Sequence, residues 1–207
     1  IVAEALRQFA DKLEKAEDFR HEAFRVIRHA VRDHKHILFS GNGYSAEWAR
    51  EAQSRGLLNL PTTADALPSF IAPKNIELFT RYGIFTEREL RSRYEIQLEN
   101  YVKVVRIEGA TLLEMARRSV LPAMIAYQKE LAEAVSLKRS LMVDGSVEES
   151  LLAQLSAGAA GLHRACGTLA EALSASQEGC HAAALHCKEH ILPAMQAVRA
   201  ESDALEQ

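Results

Sequence analysis

Apolar residues recur every three or four positions along most of the chain, with charged residues between them. This pattern runs through residues 2–13 and returns at residues 24–31, after a polar break near residues 17–20. Side chains three or four residues apart share one face of an α-helix. The start of the chain is therefore predicted to form two short amphipathic helices.

A change of composition follows these helices. His36–Phe39 is short and rich in β-branched or aromatic residues, and the sequence Gly41-Asn42-Gly43 after it tolerates positive φ angles. This combination predicts a brief extended segment and a tight turn. Ser45 is placed to cap a helix that reaches about Arg55 and ends at Gly56.

Residues 57–73 contain three prolines and no sustained period. They predict an irregular connector with one turn of helix after Thr63. Pro73 suits the first position of a further short helix, and Gly83 marks its end.

The longest periodic stretch begins at Thr86, where Thr86-Glu87-Arg88-Glu89 has the form of a capping box. No stop signal follows in this stretch before Asp144-Gly145. The predicted helix is therefore about 80 Å long, at a rise of ~1.5 Å per residue. Pro122 lies inside it and predicts a bend, since proline removes a backbone hydrogen bond and clashes with the preceding turn.

Two further apolar seams, in residues 151–173 and 180–205, predict helices that fold back on the long helix as an antiparallel three-helix bundle. The tetrapeptide Leu-Pro-Ala-Met occurs at 121–124 and again at 192–195, which indicates either matched kinks or a chance repeat. The predicted fold class is all-α, divided into short helices with a connector (1–85) and a bundle (86–207).

Composition narrows the possible functions. The 207 residues include 25 Lys or Arg and 28 Asp or Glu, for a net charge of −3, so the chain lacks the overall basic field expected of a nucleic-acid binder. No apolar run approaches the ~20 residues of a membrane span. Three cysteines, an odd number, favour a reducing cytoplasm.

One group of residues has the chemistry of a metal site. His186 and His190 are four residues apart on one helical face, and Cys187 is three residues from His190. Cys180 lies seven residues before Cys187. Sulfur and imidazole ligands suit zinc. Cys180 and Cys187 also belong to the apolar seam, however, and buried thiols act as small hydrophobes, so packing is favoured over metal binding.

A second candidate is the glycine turn at residues 40–45, whose backbone N–H groups could hold an anion. It lacks the lysine and spacing of a Walker loop and the third glycine of a dinucleotide fingerprint, so a plain turn is favoured. No pattern places a nucleophile beside a base, and no catalytic residue is assigned.

Three long strings carry a family resemblance: GNGYSAEW at 41–48, RGLLNLPTTADALP at 55–68, and GIFTERELRSRYEIQLENYVKVVRIEGATLLEMA at 83–116. They resemble the carboxy-terminal part of type III glutamine synthetase. The resemblance implies that the parent enzyme uses ATP and Mg²⁺ or Mn²⁺ to ligate ammonia to glutamate, through an acyl phosphate, in two stacked hexameric rings.

The resemblance also implies that the catalytic and cofactor-binding residues precede this chain, with residues 1–85 forming the end of the catalytic region. We expect a piece of a longer protein that is inactive alone and contacts the upstream catalytic domain and neighbouring subunits. Part of the surface of residues 1–60 should then be apolar. The alternative is a free-standing helical module that binds a partner protein.

Overall fold

The computed structural model describes residues 1–204, and every regular element in that part of the chain is helical. The all-α prediction is therefore confirmed. The first part contains α1 (Val2–Leu13), α2 (Phe19–Asp33), α3 (Ala46–Ser54), α4 (Thr63–Ala66) and α5 (Pro73–Arg81), with 3₁₀ turns at Lys35–Ile37 and Leu67–Ile71. The bundle contains α6 (Glu87–Met115), α7 (Leu121–Ser140), α8 (Ser146–Ser174), α9 (Cys180–His186) and α10 (Leu192–Asp203).

Local capping chemistry sets the helix ends where the sequence predicts them. Ser45 accepts a hydrogen bond from the backbone N–H of Trp48, and Thr86 forms a full capping box with Glu89. Gly56 and Gly83, with φ angles of 75° and 61°, follow the ends of α3 and α5 in the left-handed conformation that glycine adopts without strain.

The extended segment predicted at residues 36–39 is wrong. The end of α2 continues into a 3₁₀ turn at Lys35–Ile37, in which Ile37 and Leu38 donate backbone hydrogen bonds to residues three positions earlier. Leu38, which follows the turn, has extended dihedral angles, φ −78° and ψ 122°. An isolated strand leaves its backbone groups unpaired, and no strand within residues 1–204 offers it a partner.

The long helix is present and is interrupted once. A π-helical turn, Ala116–Val120, joins α6 to α7 directly before Pro122. A second π-turn, Cys187–Ile191, joins α9 to α10 directly before Pro193. The two Leu-Pro-Ala-Met sequences therefore share one local structure, at positions where inserted π-turns commonly bend helices.

The main core lies between α6, α7, α8 and α10. Its fully buried members include Leu162, Cys166, Leu169, Ile191 and Val198. The last predicted seam residue, Leu205, lies outside the described residues. The division of the chain at residue 85 stays a prediction.

The connector packs onto the bundle through a smaller cluster. Ala64 of α4 is buried against Leu98 of α6 and Ala184 of α9. Beside it, Lys188 Nζ lies 2.6 Å from Asp65 Oδ1. Thr62 also donates to Asp65, and the hydrogen bonds from Lys188 and Thr62 lower the pKa of the Asp65 carboxyl.

Candidate docking surface and the predicted ligand residues

The first two helices expose an apolar face. Neither α1 nor α2 contains a buried residue. On α2, Phe24 is 75% exposed and Ile27 is 60% exposed, and Val31 extends the same face by one turn. Val2 and Leu6 are similarly exposed on α1. The apolar surface expected within residues 1–60 is present, and we call this face of α1 and α2 the amino-terminal face.

A basic groove runs beside this apolar face. Its volume is about 710 Å³, and its lining consists of His21, Phe24, Arg25, Arg28, His29 and Arg32. Two of these arginines have acidic neighbours on the same helix, Glu22 and Asp33, at 3.0 Å. The face therefore combines an apolar ridge with a row of positive charge.

A carboxylate fixes α1 to the rest of the molecule. Glu4 Oε1 lies 3.1 Å from Nη1 of Arg81, at the end of α5, and Glu4 Oε2 accepts a hydrogen bond of 2.5 Å from Tyr82. Hydrogen bonds from Arg7 and Tyr82 hold the pKa of Glu4 well below its usual range. Arg81 and Tyr82 lie a few residues before α6 begins at Glu87, so these contacts hold α1 near the start of the long helix.

The glycine turn is held by its own side chains. Asn42 Oδ1 accepts the N–H of Tyr44 at 3.0 Å, and Ser45 Oγ accepts the N–H of Trp48 at 3.2 Å. A Cβ atom at Gly41 would lie 2.5 Å from the Phe39 ring, so a side chain at this position would require the ring to move. Because the amides of Tyr44 and Trp48 are already paired, they are not free to bind an anion, which favours the plain turn.

The structure brings two of the predicted metal ligands together. The rings of His186 and His190 are 4.9 Å apart, but His186 Nε2 lies 2.8 Å from the carbonyl oxygen of Ala172. Cys187 is fully buried in the core, where burial raises the pKa of its thiol. Cys180 Sγ lies 3.8 Å from Glu99. Within residues 1–204, no three His, Cys, Asp or Glu side chains form a metal-binding group.

His186 instead belongs to a cap on the end of α8 that the sequence did not reveal. The last carbonyls of a helix have no partner inside the helix. Here His186 contacts Ala172, and the Arg106 guanidinium donates to the carbonyls of Leu173 and Ala175. Positive charge at this position also complements the helix dipole. Arg106 is 67 positions from Leu173 and 69 positions from Ala175, so the contact can be seen only in the folded structure.

Among residues 1–204, no helix has both the length and the apolar character that crossing a membrane requires.

Comparison with known proteins agrees with the resemblance seen in the sequence. A glutamine synthetase from Butyrivibrio fibrisolvens is 42% identical over 149 residues, which cover 70% of this chain and 21% of that protein. Type-3 glutamine synthetase from Dictyostelium discoideum is 41% identical over 139 residues, or 66% of this chain and 19% of that protein. The glutamine synthetase of Bacteroides fragilis is 31% identical over 125 residues, which cover 60% of this chain and 17% of that protein.

The chain thus spans about a fifth of the length of these curated relatives. The family model described as "Glutamine synthetase C-terminal domain" matches residues 22–139, which is more than half of the chain and includes α2 after its first three residues and the whole of the long helix except its last residue. The chain belongs to the glutamine synthetase C-terminal domain family.

Proposed function

We propose that this chain is a helical, non-catalytic part of a type III glutamine synthetase. Its amino-terminal face docks on the part of the protein that makes glutamine from glutamate, ammonia and ATP. The observation that carries the proposal is the apolar face of α1 and α2, which has no cover among the described residues. Contiguous exposed apolar surface on a protein marks a site of interaction.

The positive charge on the amino-terminal face indicates what kind of partner surface it would contact. The row of basic residues along the groove of α2 flanks Phe24 and requires a partner that is apolar at its centre and acidic at that rim. Glu4 holds α1 against α5, so docking also fixes the direction in which the long helix leaves the catalytic part.

Catalysis itself belongs to other parts of the protein. Ligating ammonia to an acyl phosphate needs converging carboxylates and arginines around a divalent cation. Within residues 1–204, no three carboxylate, imidazole or thiol side chains form a group suited to a cation, which supports a site for Mg²⁺ or Mn²⁺ and ATP elsewhere in the protein. Those cofactors would be held outside this chain, in a cytoplasmic assembly of identical subunits arranged as two stacked hexameric rings.

The proposal is tested by removing the apolar face in the intact protein. In the variant Phe24→Ser/Ile27→Ser, docking should weaken by about tenfold or more for each side chain, since burying such a side chain contributes ~1.5–3 kcal/mol. Glutamine formation should fall accordingly. Ile107→Ser is the matched control, because Ile107 is 66% exposed on α6, away from this face.

Unchanged glutamine formation in the Phe24→Ser/Ile27→Ser variant would overturn the docking role. Glutamine formation by the purified 207-residue chain alone would overturn the assignment of catalysis to other parts of the protein. Full retention of activity after deletion of the chain would instead favour an independent binding module.

A further inference from the structure

Three arginines line the basic groove of α2, but only two of them have an acidic partner. Arg25 Nε lies 3.0 Å from a carboxylate oxygen of Glu22, and Arg32 Nε lies 3.0 Å from one of Asp33. Arg28, which comes between these two arginines in the sequence, forms no ion pair or side-chain hydrogen bond within residues 1–204. Its side chain is exposed, and its positive charge has no acidic neighbour in that part of the chain.

Arg28 is also the arginine nearest to the apolar ridge of the amino-terminal face. At ~100° per residue, Arg28 lies about 40° around the helix from Phe24, whereas Arg32 and Arg25 lie about 80° and 100° from it. Phe24 is 75% exposed. A partner surface that covers Phe24 therefore reaches Arg28 before it reaches the other two arginines.

The spacing of the three arginines is unfavourable for the chain alone. Arg28 lies three residues after Arg25 and four residues before Arg32, and side chains at these spacings are neighbours on a helix. Like charges at these spacings destabilise the helix. An anion beside Arg28 relieves this repulsion, whereas a neutral partner does not.

Docking makes an acidic partner more necessary at this position. Moving a guanidinium from water into an interface without an opposite charge is strongly unfavourable, because its lost hydration is not replaced. A carboxylate replaces that hydration. The planar guanidinium of Arg28 can bind both carboxylate oxygens through two parallel hydrogen bonds, which a lysine ammonium cannot do.

We propose that Arg28 forms an ion pair with an Asp or Glu side chain on the catalytic part of the protein. This inference rests on the function proposed above, and it adds the residue that selects the partner surface and the group that it selects. The chain spans about a fifth of the length of its curated relatives, and the carboxylate belongs to the part that the chain does not span. The apolar ridge supplies affinity, and Arg28 fixes the register of the contact.

The first test identifies the carboxylate by a crosslink without a spacer. In the intact protein carrying Arg28→Lys, a carbodiimide activates nearby carboxylates, and the lysine amine displaces the activating group as a urea to form an amide. The proposal predicts that the peptide containing residue 28 is joined to an Asp or Glu outside residues 1–207. Arg25→Lys is the matched control, because Glu22 lies beside that position and the amide should form within α2.

The second test measures the contribution of the charge to docking. Amide exchange of residues 19–33 is followed in the intact protein, with residues 87–115 as the internal reference. In Arg28→Gln, exchange at low salt should be at least about tenfold faster than in the wild type. At high salt the two proteins should differ by less than about threefold, because ions screen a pair at the rim of an interface. Arg25→Gln should stay within about twofold of the wild type at both salt concentrations, because that charge is already balanced by Glu22.

Two results would overturn the ion pair while the docking role stands. One is a protected α2 in which residue 28 forms no amide, or forms one only within residues 1–207. The other is equal exchange in Arg28→Gln and the wild type, or a difference that salt does not change, which would assign the effect to packing of the apolar stem of Arg28.

Failure of the proposed function gives a different result. An unprotected α2 in the wild type, together with unchanged glutamine formation in Phe24→Ser/Ile27→Ser, would overturn the docking role and the ion pair with it.

Discussion

Replacing Met142 by glycine should stabilise the chain. Met142 follows the end of α7 with φ 56°, a conformation in which an L-residue with a Cβ atom is strained. Its side chain is 96% exposed, so the substitution removes almost no contact within a single copy. Glycine adopts the same backbone conformation without that strain.

The magnitude follows from two opposing effects. Relief of the left-handed strain contributes about 1–2 kcal/mol. Glycine also makes the unfolded chain more flexible, which removes about 0.4–1 kcal/mol of that gain. The net expectation is a gain of about 0.5–1 kcal/mol. For a chain of this size that raises the melting temperature by roughly 1–4 °C.

The assay is urea unfolding followed by circular dichroism, at concentrations where sedimentation shows single copies. Met142→Ala is the matched control, because alanine keeps the strain and should stay within about 0.5 kcal/mol of the wild type. Gly83→Ala should show the opposite sign and lose about 1 kcal/mol, since Gly83 has φ 61° and open space around its Cα atom. Equal stability of the glycine and alanine variants at Met142 would refute the reasoning.

Three other predictions concern the core, the connector and the cysteines. Leu162→Ala should cost about 2–5 kcal/mol in urea unfolding, because Leu162 is fully buried in the main core; a loss below 1 kcal/mol would contradict that packing. The lowered pKa of Asp65 implies stability that is present above about pH 4 and is lost as the pH falls through the folded-state value. In Lys188→Met this loss in acid should be smaller, and identical unfolding curves for both proteins from pH 5 to pH 2 would exclude the effect. A thiol reagent should modify Cys180 quickly and the two buried cysteines only on unfolding; three equal rates would contradict their burial.

Helix ends were predictable because their chemistry is local. Thr86 and Glu89 lie three residues apart, and the N1 preference of Pro73 and the left-handed preference of Gly83 depend on single residues. The extended segment at residues 36–39 failed for the opposite reason. A strand needs a partner that local composition does not supply.

The repeated Leu-Pro-Ala-Met sequence shows a partial success. The prolines predicted bends, and a π-turn precedes each of them. The bends themselves stay predictions. The π-turn itself was not predictable, since the backbone can accommodate a proline by several routes that packing decides between.

The exposed surfaces and the helix cap also include features that the sequence predicted and features that it did not. Exposed apolar residues on α1 and α2 were expected from their helical pattern and from the family resemblance. The left-handed backbone of Met142 was not expected, because a residue other than glycine does not mark that conformation in the sequence. The cap that Arg106 forms on α8 joins distant residues and left no signal in the sequence.

The central claim, that the amino-terminal face docks on the catalytic part, is tested most directly by amide hydrogen exchange of residues 19–33. These amides are measured in the intact protein and in the 207-residue chain alone, with residues 87–115 of α6 as the internal reference. The account predicts that exchange in α2 slows at least tenfold in the intact protein relative to that reference. Equal exchange of α2 in the two proteins would contradict it.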